Sequence, residues 1–598
     1  MTGRLADRTL VGMDDVPRSE VPSPLRFSSP ADIDDFVDHL RRFETGELTP
    51  DQFKVYRLTR GTYGQRQMGV NMLRVKIPQG VLAAAQVECL ADIGDEYSRG
   101  FGHVTTRQNV QFHFVPLARV AEAMTKLDEV GLTMREACGG TVRNVTACAL
   151  AGVCSGASFD VTPYGQAVTR HFLRNPICQS LPRKFKIALS GCGDDCAQGA
   201  INDVAILARV RDSERGFEIR VGGGLSTSPE DAHPLESFVP ADRLLPVLEA
   251  VVRVFDRTGN RQNKSRARLK YVIRKIGLDG FRKEYEAELA KIDADGRGSI
   301  AIDVSNEVRP DAVLRLRAPV RQNAAEDGFE RFYGSNCLKQ RQSGYYAVIA
   351  RLERGDITSA QLRGVARLAR QFSDGTVRLS NEQNLLFRFV PEASLTALHA
   401  ELVALGLGRA GARTIHDVTS CPGSDTCNLA VTRSRELTTA VEEKLAAATG
   451  AAAEAVKAAE SLDIKISGCP NSCGQHHIAA LGFHGTMRRV GGVAVPEYQL
   501  HLGGGIGREG ATFGRQIVKL PARRVPDAVL RLLELYKNER TEGEAPLAYF
   551  RRVEPETVKR AVADLAAFDA ATATAEDWLD HGDDQPFKVA IGQGECAV

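Results

Sequence analysis

Eight of the thirteen cysteines fall into two quartets of one shape. Cys148 and Cys154 are followed by Cys192 and Cys196, and Cys421 and Cys427 by Cys469 and Cys473, so each quartet is a Cys-x5-Cys pair and then a Cys-x3-Cys pair. A 4Fe-4S cube needs four thiolates, and loops of three or five residues can curl two sulfurs onto adjacent irons while the other pair arrives from another element. Structural zinc is the competing reading, but zinc frames favour two to four intervening residues, and five is off that pattern. In the second quartet Pro422 and Pro470 stiffen the turns, and Gly423 and Gly474 allow close backbone approach. The first quartet lacks those prolines and places Asp194 and Asp195 between its last two cysteines, which would raise the cost of an anionic cluster.

The elements that must carry these cysteines repeat along the chain. The second quartet follows the first at offsets of 273 and 277 residues (421 against 148, 469 against 192), "RNVTAC" at 143–148 matches "HDVTSC" at 416–421, and "TTRQNVQFHFVP" at 105–116 matches "SNEQNLLFRFVP" at 380–391. In each copy two β-patterned stretches flank a helical one, as in "NMLRVKIP", "VLAAAQVECLADIGDEY" and "VQFHFV". "KFKIALSG" and "LDIKISG" alternate at period two and run straight into the Cys-x3-Cys turns, and the Ala-rich run "LTTAVEEKLAAATGAAAEAVKAAES" reads as helix. The expected fold is therefore α+β and internally duplicated, two pseudo-symmetric modules each with a smaller part and a larger mixed α/β part. Boundaries are expected at 1–45 (N-terminal extension), 46–130, 131–325, 326–405, 406–550 and 551–598 (C-terminal tail), with 17–30 and 571–598 poorly packed and Cys596 a bystander.

Bulk properties exclude several classes. Net charge is +2, from 77 basic and 75 acidic side chains, which gives no general case for nucleic acid. No apolar run approaches the roughly 20 residues of a membrane span, and the charged N-terminus lacks an apolar signal region, so a cytoplasmic location is expected. In a reducing compartment these cysteines suit metal better than disulfides.

With "CPGSDTC" and "SGCPNSCG", and upstream "TTRQNVQFH", "RNVT" and "LPRKFK", the chain resembles the sulfite and nitrite reductase family over roughly residues 45–545. The resemblance implies a ferredoxin-like part and a siroheme-reductase part in each module. It also implies a siroheme coupled to a 4Fe-4S cluster held by Cys421, Cys427, Cys469 and Cys473, with Cys473 bridging to the siroheme iron. It assigns Arg74, Arg143, Lys184 and Lys186 to a cationic substrate cage, and Arg107, Gln111 and His113 to siroheme contact. Tyr63 and Cys138 match positions that some members join by a thioether.

The implied activity is six-electron reduction of sulfite to sulfide, since sulfite-reducing members resemble "RKFK" and plant-type nitrite reductases carry asparagine at the second lysine; sulfur assimilation is one role it would suit. Nitrite reduction to ammonia is the alternative, and a non-catalytic iron–sulfur electron carrier the second. No Gly-rich dinucleotide fingerprint follows a strand, so electrons are expected from ferredoxin or a separate flavoprotein, docked on a basic stretch such as 257–275.

The repeat itself separates the halves. Opposite Arg74, Arg107, Arg143, Lys184 and Lys186 of the first half stand Ile349, Glu382, His416, Ser461 and Asp463 of the second. The competent pairing is thus first-half cations with second-half cysteines. For Cys148, Cys154, Cys192 and Cys196 a second cluster, a relic of free thiols and a non-catalytic cofactor site stay open, with the relic favoured over a relay.

Overall fold

In the computed structural model, which describes residues 21–309, 328–571, 573–589, 592 and 595, each half contributes two five-stranded sheets. The smaller sheets are antiparallel. The first orders the strands Thr62–Gly64, Val70–Val75, Val110–Pro116, Phe101–Val104 and then Asp356–Thr358, which comes from the second half. The second orders Cys337–Lys339, Tyr345–Ala350, Leu385–Pro391, Thr376–Leu379 and then Val81–Ala83, from the first half. Each half thus lends the other an edge strand, Thr358 facing Phe101 and Ala83 facing Thr376. Because every edge left open would expose unpaired backbone groups, the exchange closes one edge of each sheet and locks the halves together.

Helices follow the lent strands. Ala84–Tyr97 buries Val87, Leu90, Ala91 and Ile93, and Ser359–Phe372 buries Leu362, Val365, Leu368 and Phe372. The two pack together within one core shared by both smaller sheets, and Arg363 pairs across them with Asp92 and Asp95. Gln86 caps its own helix by accepting from Ala83 N–H and ties that helix to the Leu25 and Val130 carbonyls.

Each larger sheet is mixed. Thr146–Ala147, Ile187–Ser190 and Val204–Arg211 run parallel, with Glu214–Val221 and His233–Pro240 antiparallel beyond them. In the second half the same places are taken by Thr419–Ser420, Ile464–Ser467, Leu481–Val490, Val493–Leu502 and Arg515–Pro521. Each has its own core, so the duplicated α+β architecture is as expected. The Ala-rich run is two helices, Ser434–Ala446 and Gly450–Ala458, broken where Gly450 takes a positive φ of 56°.

The ends differ from expectation. Val21, Leu25 and Phe27 are buried, and the helix Pro30–Glu44 sends Phe36 and Leu40 into the shared core, so residues 21–45 are no loose extension. Tyr549, Phe550, Val558 and Val562 belong to the second module's core, which makes 551–562 part of that module. Further on, the fully buried Asp580 accepts from Arg433 N–H, and Arg524 grips Asp577 with two hydrogen bonds. These segments pack because their polar groups find partners that no local pattern reveals. Residues 1–20 and Cys596 lie outside the described residues. Among the described residues no helix is long and apolar enough to cross a membrane.

Candidate functional site

The second quartet is assembled by parallel pairing. Thr419 lies beside Lys465 and Ser420 beside Ile466, so Cys421 and Cys469 leave the same end of one sheet. Burial raises the thiols of Cys421, Cys427 and Cys469, and the nearby Cys473 raises each further; Cys427 is pushed up to about 11. Such mutual repulsion among buried thiols is relieved when a metal centre takes the protons' place.

Backbone N–H groups lie close to the sulfurs: Gly468 donates to Cys421 Sγ at 3.3 Å, and the N–H groups of Leu429 and Asn471 partly offset the rise of Cys427 and Cys469. A Cβ at Gly468 would come within 2.8 Å of Gly423 Cα, and one at Gly474 would overlap the Ile466 carbonyl. The cradle is therefore built from residues without side chains, with donors turned inward, and it fits an anionic iron–sulfur cluster.

The first half closes over this cradle. Arg66 donates through its backbone to the Thr426 carbonyl and through Nη2 to the carbonyls of Cys427 (3.2 Å) and Ala430 (2.7 Å). Thr106 Oγ1 donates to the Cys473 carbonyl at 3.0 Å.

Behind Thr106 the cationic residues gather. Arg74 faces Gln111 across two antiparallel strands, and with the amide oxygen turned toward it Gln111 accepts from Arg74 Nη2 at 2.7 Å and Nε at 2.9 Å. Arg74 Nη1 also reaches Ala137 O (3.2 Å) and Cys138 Sγ (3.1 Å). Arg143 is buried on the same loop, donating to Ala137 O and Gly139 O. Arg107 donates to Asn202 Oδ1 and Asn144 O, both at 2.6 Å, and burial lowers it to about 9. Lys186 is lowered well below the usual lysine range, first by desolvation and then by the charges of Arg107, Arg268 and Lys184, while Cys473 acts in the opposite sense.

The five predicted cations and Cys473 thus share one electrostatic neighbourhood, as the charges acting on Arg107 and Lys186 show. His113, on the strand Val110–Pro116 two places after Gln111, is buried with neither ring nitrogen partnered, and burial lowers it well below the usual range. A polycarboxylate macrocycle such as siroheme would meet guanidinium and ammonium groups here, and the unpartnered Nε of Arg107 is a donor such a group could use. Tyr63 packs in one small apolar cluster with Cys138, beside Arg74.

The counterpart pocket is different. Glu382 acts on Cys196, Asp463 is itself raised by burial with Glu382 adding to the effect, and Ile349 packs with Ala149 and Leu150 next to Cys148. The thiols there act on one another in the order Cys148, Cys196, Cys192 and Cys154.

Sequence reading missed the layer that holds the cage. Asp203 accepts from Lys186 N–H at 2.8 Å and from Arg268 Nε and Nη2 at 2.9 and 2.7 Å, fixing both cations from behind. The expected docking stretch 257–275 lies only partly at the surface. Arg268 and Lys270 point inward and are buried, Lys270 onto the Leu225 carbonyl at 2.8 Å, while Arg257, Arg261 and Arg274 are paired with Glu284, Asp256 and Glu230. A second omission is a buried histidine cluster behind the Cys469–Cys473 turn. His476, His477 and His501 have ring nitrogens within 4.8 Å of one another, and burial lowers His477 to about 4 and His501 to about 3. Its signal was the doublet directly after "SCGQ".

A duplicated scaffold that brings cations from one half to a cysteine cradle in the other defines an iron–sulfur oxidoreductase acting on a small anion. Residues 138–292 and 411–585 match the "Nitrite and sulphite reductase 4Fe-4S domain", and 63–130 and 338–405 the "Nitrite/Sulfite reductase ferredoxin-like half domain". The chain belongs to the nitrite and sulphite reductase family, whose cofactors are siroheme and a 4Fe-4S cluster.

It is 31% identical over 497 residues to a "Sulfite reductase [ferredoxin]" of Mycobacterium tuberculosis, covering 82% of this chain and 83% of that one. It is 28% identical over 521 residues to "Ferredoxin--nitrite reductase, chloroplastic" of Oryza sativa subsp. japonica, covering 84% and 82%. Among solved structures, the Mycobacterium tuberculosis NirA protein matches with a TM-score of 0.73 at 28% identity, over 89% of this chain and 98% of that one.

Gly474→Ala is expected to force apart the cradle, costing about 1–3 kcal/mol of stability and most of the cluster iron. Gly334→Ala, whose added Cβ meets nothing within 4 Å, should keep its iron content, and equal iron in both variants would contradict the tight cradle.

Proposed function

We propose that the chain reduces sulfite to sulfide in a six-electron reaction at a siroheme joined through Cys473 to a 4Fe-4S cluster, with electrons drawn from an external one-electron donor of the ferredoxin type. When bound, the cofactors supply those electrons to the substrate sulfur. The observation that carries the reading is the convergence of Thr106 and Lys186 from the first half on Cys473 from the second, with Arg107 beside Lys186. Arg74 and Arg143, held by Gln111 and by loop carbonyls, are the groups that would bind the oxyanion, and Arg107, Gln111 and His113 those that would contact the macrocycle. Lys184 and Lys186 would deliver protons at Nζ to oxygens leaving as water. A lysine whose charge is disfavoured by burial and neighbouring cations gives up its proton more readily than a free one.

Relatives that match this chain are named for sulfite and for nitrite, so the family alone does not choose between them. Lys186 supports sulfite, because a third oxygen needs another charge and another proton source. An electron carrier without catalysis would need no cage. Tyr63 beside Cys138 supports the thioether reading, which removes two hydrogens.

With reduced viologen as donor, wild type is expected to turn over sulfite faster than nitrite, and Lys186→Asn to lose about 10²-fold with sulfite but less with nitrite. An unchanged ratio would remove Lys186 as the discriminating residue. For the thioether, the intact mass of the apo chain should fall about 2 Da short of the sequence mass, and the Cys138→Ala variant should restore agreement; a full wild-type mass would reject the link.

A further inference from the structure

The first quartet is not absorbed by the catalytic site. Parallel pairing sets Ala147 beside Leu189, so Cys148 and Cys192 leave the same end of one sheet, and each thiol feels the next in turn, Cys192 acting on Cys154, Cys196 on Cys192 and Cys148 on Cys196. As at the second quartet, backbone N–H groups lie near the sulfurs: those of Gly156 and Asp194 lower Cys154 and Cys192, while Ala157 N–H closes the turn on the Cys154 carbonyl at 3.3 Å. Side chains left over from an abandoned site have no reason to keep both the convergence and the inward donors.

The expected objection was the pair of carboxylates in the turn, and the structure turns both away. Asp194 is exposed and paired with Arg508 at 2.6 Å. Asp195 is buried but accepts from Gly199 N–H, Ala200 N–H and Ser190 Oγ at 2.8–2.9 Å, so it caps the turn instead of facing the sulfurs.

Two buried guanidinium groups supply the opposite charge. Arg378 and Arg388, from the second half's smaller sheet, are 1% and 4% exposed. Arg388 Nη1 holds the Ala151 carbonyl at 3.1 Å inside the loop from Cys148 to Cys154, and Arg378 Nη2 donates to Thr162. Nε and Nη1 of Arg378 and Nε of Arg388 have no partner. A buried guanidinium with idle donors is costly unless an anion lies close by. Asp160 and Asp374 meet part of that demand, and Cys148 is the thiol whose charge acts on Arg378. An oxidised 4Fe-4S cluster with four thiolates carries a net charge of about −2 and would meet the rest.

The ligand set also discriminates between metals. Zinc with bonds of about 2.3 Å holds four sulfurs about 3.8 Å apart. The Cys-x5-Cys pair of this quartet is also off the two to four intervening residues that zinc frames favour. Ile349, Glu382 and Asp463 stand on this side where the catalytic site has Arg74, Arg107 and Lys186, so the cage that faces the catalytic cysteines is missing here.

We propose that Cys148, Cys154, Cys192 and Cys196 hold a second 4Fe-4S cluster that carries no siroheme and serves as a one-electron store. It takes one electron from the same external low-potential donor and later releases it to the catalytic cluster, with no bond or proton changing hands.

The test is the cluster iron and acid-labile sulfide of the anaerobically purified full chain, with siroheme counted separately by extraction. About eight cluster irons and eight sulfides per siroheme are expected, falling to about four of each in the variant Cys192→Ser/Cys196→Ser with siroheme retained. Should that variant not fold, the wild-type count decides alone. About four cluster irons in wild type, or one zinc in place of the missing four irons, overturns the second cluster while leaving the siroheme site standing; absence of siroheme overturns the proposed function instead.

Discussion

The catalytic site exists only if like charges are held together. Arg74, Arg107, Arg143, Lys184 and Lys186 come from one half of the chain and share one neighbourhood, where each charge raises the cost of its neighbours'. Burial adds to that cost, as the lowered Arg107 and Lys186 show. The opposing negative charge comes from Asp203 behind the cage and from the cysteine cradle in front of it. Since the cradle belongs to the other half, neither half can make the site alone, and the exchanged edge strands are what keep the two registered.

Duplication makes this arrangement twice, crosswise. The first smaller sheet closes over Cys427 and Cys473, while the second closes over Ala151 and Ala197 through Arg388 and Asn381. In one place the facing residues are cations that suit an oxyanion; in the other they are Glu382, Asp463 and Ile349, which do not. The second place has turned its positive charge toward the cysteines themselves, in Arg378 and Arg388. The two copies of one arrangement thus differ in where their buried positive charge lies.

Much of this was legible in the sequence because the informative residues are local. Cysteine spacing, the offset between copies and the period-two strands leading into Cys192 and Cys469 each lie within a few residues, and comparing the copies showed which half keeps its cations. The exchanged strands were not legible, since Val81–Ala83 and Asp356–Thr358 are three residues long and carry no period. Nor was the direction of Lys270 or Arg268, whose basic run reads as surface until Asp203 and the Leu225 carbonyl are seen beneath it. Asp194 and Asp195 misled for the same reason, because a carboxylate's effect depends on where it points.

The crosswise pairing is tested most directly by siroheme content after removing one equivalent sulfur from each quartet. Cys473→Ser should leave the purified chain with little siroheme, and Cys196→Ser should retain the wild-type amount, both measured from the extracted tetrapyrrole absorbance per chain. Loss of siroheme from Cys196→Ser with retention in Cys473→Ser would contradict the account.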